Sequence, residues 1–413
     1  MTAFYRFLLA RFLSALGTQI TLFAAPLIVF QITGSVSKAG LSFAIEWGVG
    51  LLALPFAGIM ADRIGGSRLY AVSDGIRLFA CATVFLLLNA APQHAFLIVS
   101  ISAGIMCFCL NQAFVALETL IPKYMPSEEL HKAQSMLQAV DQFSLLLGPV
   151  AAAALLAVVD KEVLYLIAGS AFFVSLLNML LSRGVNAAAE RGDAGAPLAD
   201  ILHGAKILIS NHSLMLLCAY GILVNVVYCS LLSIGAAMVT GTFGLPEFYF
   251  GALSFTAAAV TICSMFIVPV LSRRYSIFFV GVASFLGVSL GGFIAALASQ
   301  YWVFFVGFAV VVMADASAGV YLRTERVKNI PKQDLGKTLG LMVLVIVFSY
   351  PLAGLIVSVF SERIGINAML FGLSGICLVG NVFVMIALKK ATDRKLTEMT
   401  APGENAAGSV SVS

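Results

Sequence analysis

Gly58-Ile59-Met60-Ala61-Asp62-Arg63-Ile64-Gly65-Gly66-Ser67-Arg68 separates two long apolar runs, and its reading decides the fold. Gly58 has no side chain to hold a neighbouring helix away, and Gly65-Gly66 permits a very tight turn. Asp62, Arg63 and Arg68 place both signs of charge where the chain leaves one apolar run and enters the next. Such a turn suits a latch that closes in one conformation and opens in another. Gly58, Asp62, Arg63, Gly65 and Arg68 are therefore the candidate conformational latch.

Apolar runs of this kind recur along nearly the whole chain. Of 413 residues, 61% are hydrophobic and 11% charged, against roughly 25% charged in an ordinary soluble protein. Runs of about 20 residues are long enough to cross a hydrocarbon layer roughly 30 Å thick. With no water to satisfy the backbone there, each run must be a helix. Barrel strands would alternate polar and apolar residues, and stretches such as Leu78 to Leu88 and Leu341 to Phe348 do not. The first run, from Phe12 to Phe30, has no small-residue cleavage site before Pro26 and leads straight into the next, so it is read as a retained span.

The breaks predict spans near residues 8–31, 39–60, 69–89, 95–117, 134–158 and 163–182. Six more follow near 213–236, 247–271, 276–298, 301–322, 337–360 and 366–388. The loop motif Pro126-x-x-x-Leu130-x-Lys132 returns half a chain later as Pro331-x-x-x-Leu335-x-Lys337, which a duplicated six-helix unit predicts. The expected fold is an all-α membrane protein, twelve transmembrane helices in two pseudo-symmetric six-helix bundles. The bundles are residues 1–182 and 211–388, joined by a cytoplasmic linker at 183–210, with a disordered cytoplasmic tail at 389–413.

Charge sets the orientation. Placing both termini in the cytoplasm leaves only Lys38, Lys161 and Arg363 of the 24 Lys and Arg on the other side. A multi-pass protein of the bacterial inner membrane follows, and a monomer is expected. A formal charge of +4, confined to the flanking loops, excludes a nucleic-acid partner. The seven cysteines fall inside apolar spans with no C-x-x-C pair and read as reduced packing residues. The four histidines lack metal-ligand spacing, so neither a metal nor a cofactor is expected. No G-x-x-x-x-G-K-[ST] loop occurs, so nucleotide hydrolysis is not the energy source. A membrane-embedded enzyme would need a His-Asp or metal constellation at one face, and none is evident.

The turn at Gly58 to Arg68 resembles the signature loop of the major facilitator superfamily, a glycine, a small-residue step, then Asp-Arg-x-Gly followed by basic residues. Gly66 and Ser67 stand where that family usually carries basic residues. Further segments resemble the branch containing macrolide-efflux proteins and the enterobactin exporter. These are Arg11-Phe12-Leu13-Ser14-Ala15-Leu16-Gly17, Thr33-Gly34-Ser35, Asp74-x-x-Arg77, and the helix-five step Gly148-Pro149, which Ala151 and Ala152 follow in place of paired glycines. The resemblance implies alternating access: two rigid halves rock about a midplane site, and the loop latches the outward-facing state. It also implies that spans one, four, seven and ten line a cavity, which nominates Gln19, Asn111, Gln112, Asn225, Tyr228 and Asp315.

Charges at membrane depth are expensive and tend to face a bundle interior or a wet cavity. Glu46, Asp141 and Asp315 are the proton-coupling candidates, because a carboxylate that alternates between apolar and wet surroundings can load and release a proton. Asp315 ranks first by its position in a cavity-lining span. Asp74 and Arg77, three residues apart on one helix face, form a structural or gating pair. Arg11 and Arg323, at the inner ends of their spans, read either as snorkelling anchors, the commoner case, or as groups that attract an anionic substrate. The function read from these features is a secondary active transporter: a proton-coupled exporter of a small organic molecule such as a siderophore or lipophilic drug, with a proton-coupled nutrient importer as the alternative. Its partners are a small-molecule substrate, protons and the lipid bilayer.

Both termini are expected in the cytoplasm. A C-terminal alkaline phosphatase fusion should be inactive and a green fluorescent fusion bright; the reverse pattern would invert every site placement above.

Overall fold

A computed structural model describes residues 2–124, 130–181, 197–330 and 334–400. Its elements are almost all helical, as a chain without water around its backbone requires. The N-terminal half comprises α1 (Thr2–Thr33), α2 (Val36–Ile64), α3 (Gly66–Ala90), α4 (Ala95–Tyr124), α5 (Leu130–Leu155) and α6 (Val163–Leu181). The C-terminal half comprises α8 (His212–Ala236), α9 (Glu247–Arg274), α10 (Ile277–Ala296), α11 (Tyr301–Asn329), the pair α12 (Leu335–Val347) and α13 (Ser349–Phe360), and α14 (Ile366–Thr400). Among the described residues, eleven helical stretches are long and apolar enough to cross a membrane, with α12 and α13 counted as one. The 29-residue α2 packs against α4 and α13 as the twelfth.

Four departures from the sequence reading have local causes. The linker contains a helix, α7 (Pro197–Ser210), which packs on α12; proline at a first helical position already has the required φ. The eleventh span is broken at Phe348, where α12 ends and α13 begins. Beyond α8 the chain loosens into a π turn, Ala237–Thr242, closed by Phe243 N donating to Met238 O at 2.9 Å. Finally, α14 runs on to Thr400, past the expected start of the tail. Residues 401–413 lie outside the described residues, as do Pro126 and Pro331 of the repeated loop motif.

The turn that opened the reading forms as its glycines require. Gly65 caps α2 at φ +82°, a conformation that disfavours any side chain, and donates to Ala61 O at 3.0 Å. Arg63 and Arg68 are exposed there. The side chains of Ile59 and Asp62 lie outside what is described, so the latch remains an expectation.

The halves are sealed together at the end opposite the chain termini. A Cβ on Gly354 of α13 would stand 2.6 Å from Ala44 N and 2.7 Å from Gly40 O of α2, so the two backbones touch directly. Beside them Ser37 Oγ donates to Ser358 O at 2.6 Å and Ser35 Oγ to Glu362 Oε1 at 2.6 Å. Gln31 Nε2 donates to Glu247 Oε1 at 2.6 Å while accepting from Lys161 Nζ at 3.3 Å. Deeper in, the rings of Phe23 and Phe250 stack across the interface at 4.8 Å.

Gly354→Ala should therefore wedge this seal open. A cysteine placed at Ser37 is expected to react faster with a membrane-impermeant maleimide in that variant than in an otherwise identical Gly354 protein. Unchanged labelling would show that the contact does not hold the end shut.

Candidate functional site

A cavity of about 230 Å³ lies between the halves beneath the Phe23–Phe250 stack. The N-terminal half supplies Gln19, Pro26, Phe43, Glu46, Trp47 and Pro149; the C-terminal half supplies Tyr228, Phe250, Ser254, Thr261 and Phe308. Gly148 brings α5 so close to α1 that a Cβ would collide with Gln19, which sets the width of the cavity on that side. The wall is mostly apolar and aromatic, and Glu46 is its one charged residue. Glu46 is 6% exposed and has no hydrogen-bond or ion-pair partner among the described residues. A carboxylate in such a place is costly unless something else occupies the cavity or a proton neutralises it.

Asp315 lies elsewhere. It lines a separate cavity of about 270 Å³ inside the C-terminal half, with Asn225, Arg323, Arg326 and Tyr350. The partition between the two spaces is aromatic. Tyr350 packs edge-on against Trp47 at 4.6 Å, and Tyr228 follows Asn225 by one helical turn on α8.

The other candidates already have partners. Arg11 is 4% exposed and grips Asp141 Oδ1 through both Nε and Nη2 at 2.8 Å, tying α1 to α5. The substrate role expected of Arg11 and the proton role expected of Asp141 thus fall on two residues paired with each other. Asn111 Nδ2 donates to Gly50 O at 2.9 Å and Gln112 Nε2 to Ala53 O at 3.2 Å, so both bind α4 to α2 instead of lining the central cavity. The rule of spans one, four, seven and ten names the right helices for Gln19 and Tyr228, but it carries no information about which side of α4 faces inward.

Asp74 and Arg77 meet as a buried pair, the structural half of the reading the sequence offered. Both side chains are fully buried at the centre of the N-terminal half, 3.4 Å apart. Ser14 Oγ donates to Asp74 Oδ1 at 2.8 Å and Ser175 Oγ to Oδ2 at 2.6 Å. Arg77 Nη1 donates to Thr18 Oγ1 at 3.0 Å, and its guanidinium lies over the Phe172 ring at 5.1 Å. One ion pair thus joins α1, α3 and α6. The partners named come from two other helices, α1 and α6, so spacing within α3 could not reveal them.

The sequence reading missed Phe43, Trp47, Phe250, Phe308 and Tyr350. Aromatic residues are common in every span, and the one local signal was that Trp47 adjoins Glu46.

Residues 7–342 match the family model of the Major Facilitator Superfamily. The chain belongs to that superfamily. Solved structures agree in fold. A variant of the nucleoside transporter NupG superposes with a TM-score of 0.77 at 13% identity, over 94% of this chain and 99% of that one. A bacterial homologue of the iron transporter ferroportin, in an inward-facing state, gives 0.71 at 19% identity over 94% and 98%. A bacterial homologue of the human lysosomal transporter Spinster, inward-facing and unoccupied, gives 0.69 at 12% identity over 94% and 96%. At these identities the likeness is one of fold. No curated protein sequence matches the chain. The superfamily places a small-molecule substrate and a lipid bilayer among its partners; the macrolide and enterobactin branch is a finer resemblance that these matches leave open.

Arg77→Met should leave Asp74 as a buried, uncompensated charge and destabilise the fold by about 3–5 kcal/mol. The double variant Asp74→Leu/Arg77→Met should recover most of that loss. Thermal unfolding in detergent reads both, and a stable Arg77→Met single variant would remove the pair from the core of the fold.

Proposed function

We propose that this chain is a proton-coupled exporter of a small, largely apolar organic molecule. The observation that carries the reading is Glu46, a buried and unpartnered carboxylate facing an aromatic cavity between the two halves. Proton and cargo compete for such a group: protonation removes a desolvated charge, and ionisation follows when the cavity opens to water. The geometry shifts the leading role from Asp315 to Glu46, because Glu46 lies between the halves, where exposure changes as they rock. Asp141, paired with Arg11, is the weaker candidate in this reading.

With both termini in the cytoplasm, the sealed end faces outward and the structure is inward-facing. The apolar wall favours a lipophilic cargo over a siderophore-like chelator, whose hard oxygen donors would lose their hydration against it. Export as the direction rests on the resemblance of the N-terminal motifs to exporters.

Glu46→Gln is expected to abolish uptake of a lipophilic fluorescent dye into acid-interior everted vesicles while keeping downhill dye counterflow, since exchange needs the conformational change but no net proton movement. Full gradient-driven uptake in that variant would exclude coupling through Glu46. Uptake by right-side-out vesicles alone would reverse the direction.

A further inference from the structure

The cavity inside the C-terminal half has an unbalanced charge that the transport reading does not use. From α11 it takes Asp315, Gly319, Arg323 and Arg326, whose spacing of about one turn each sets them along one face. Arg323 folds back along the helix. Its Nε donates to Gly319 O at 3.1 Å and its Nη2 lies 3.5 Å from where a Cβ on Gly319 would stand, so the missing side chain leaves the guanidinium room beside the cavity floor. Arg326 Nε is buried and has no hydrogen-bond partner among the described residues. The carboxylates close by in sequence are engaged: Glu325 holds Lys328 at 2.7 Å, and Asp334 holds His203 at 3.1 Å.

Two guanidiniums one turn apart, neither in an ion pair among the described residues, repel each other, and Arg326 Nε is left without an acceptor. A ligand bearing several acceptor oxygens relieves both penalties, and the planar fork of arginine matches a carboxylate or phosphate group. Asp315 stands about two turns further in, roughly 12 Å along the axis at 1.5 Å per residue, a distance that the folded-back Arg323 shortens. Cations at the rim and a carboxylate at depth would orient a molecule oxyanion outward.

We propose that this cavity, separate from the one that takes the apolar cargo, binds a soluble molecule carrying an oxyanion, a carboxylate or phosphate gripped by Arg323 and Arg326, with Asn225 and Tyr350 flanking its remainder. A molecule held there is one aromatic partition, Tyr350 against Trp47, from the central cavity. Binding there needs no transport and does not depend on which cargo the central cavity takes.

The chain has two tryptophans, so Trp302→Phe leaves Trp47, beside the partition, as the sole reporter. Full-length Trp302→Phe protein in phosphatidylcholine nanodiscs would be titrated with benzoate, phenyl phosphate, benzylamine and benzyl alcohol. Benzoate and phenyl phosphate should change Trp47 fluorescence saturably, and the amine and alcohol should not. Arg323→Gln and Arg326→Gln should each weaken oxyanion binding about tenfold or more, with Arg326→Lys intermediate. Arg274→Gln, at the same end on α9 but outside the cavity, should leave it unchanged. Equal responses to all four probes, or unaltered binding in both glutamine variants, would overturn the site. So would a response that appears only when anionic lipid is added, since that assigns the arginines to a headgroup. Loss of oxyanion binding in Arg326→Gln with dye transport intact is compatible with both readings, whereas oxyanion binding in a protein that transports nothing would sink the exporter and leave the site standing.

Discussion

A polar atom inside hydrocarbon has no water to bond, and each side chain with charge must find its partner within the protein or leave the membrane. The fully buried Asp74–Arg77 pair meets most of this demand, with Arg77 Nε left without an acceptor among the described residues. Ser14, Ser175 and Thr18 bond the two charges from neighbouring helices, and Phe172 covers the guanidinium face. Removing such a pair as a unit is tolerable in principle, but breaking it is not. It ties α1, α3 and α6 to one another, the internal bracing that a half moving as one body needs.

The same constraint sorts the remaining charges. Arg11 and Asp141 satisfy each other and brace α1 against α5. Asn111 and Gln112 direct their amides to carbonyls of α2 and brace α4. Glu46 and Asp315 have no such partners among the described residues, and each lines a cavity. Groups left unpartnered in a medium that penalises it are where a proton or ligand can change the energy of the whole molecule.

The contact between halves is of a different kind. Gly40 and Gly354 let two backbones touch, and a ring of serine, glutamine and glutamate side chains closes the rim. Such hydrogen bonds are individually weak and exchangeable with water, so the seal can open without unfolding either half. The apolar seams within each half, packed helix on helix, cannot open at comparable cost.

The sequence by itself determined the solvent, the helical class, the twelve spans and the membership of the superfamily. Each of these depends on local composition: a run of about 20 apolar residues can only be a crossing helix, and the turn at Gly65 needs a glycine whatever surrounds it. It also marked out Glu46, Asp74, Arg77, Asp141 and Asp315 as the charges that matter, because a charge in such a run is conspicuous. Their roles were decided by tertiary structure alone. Whether Asp141 meets Arg11 or faces a cavity depends on the rotation of α5 against α1, which the sequence of α5 does not set by itself. Lipid and helix interior are equally apolar, so periodicity that reveals the buried face of a helix in water reveals little here. Only the assembled bundle shows which carboxylates were left without a partner.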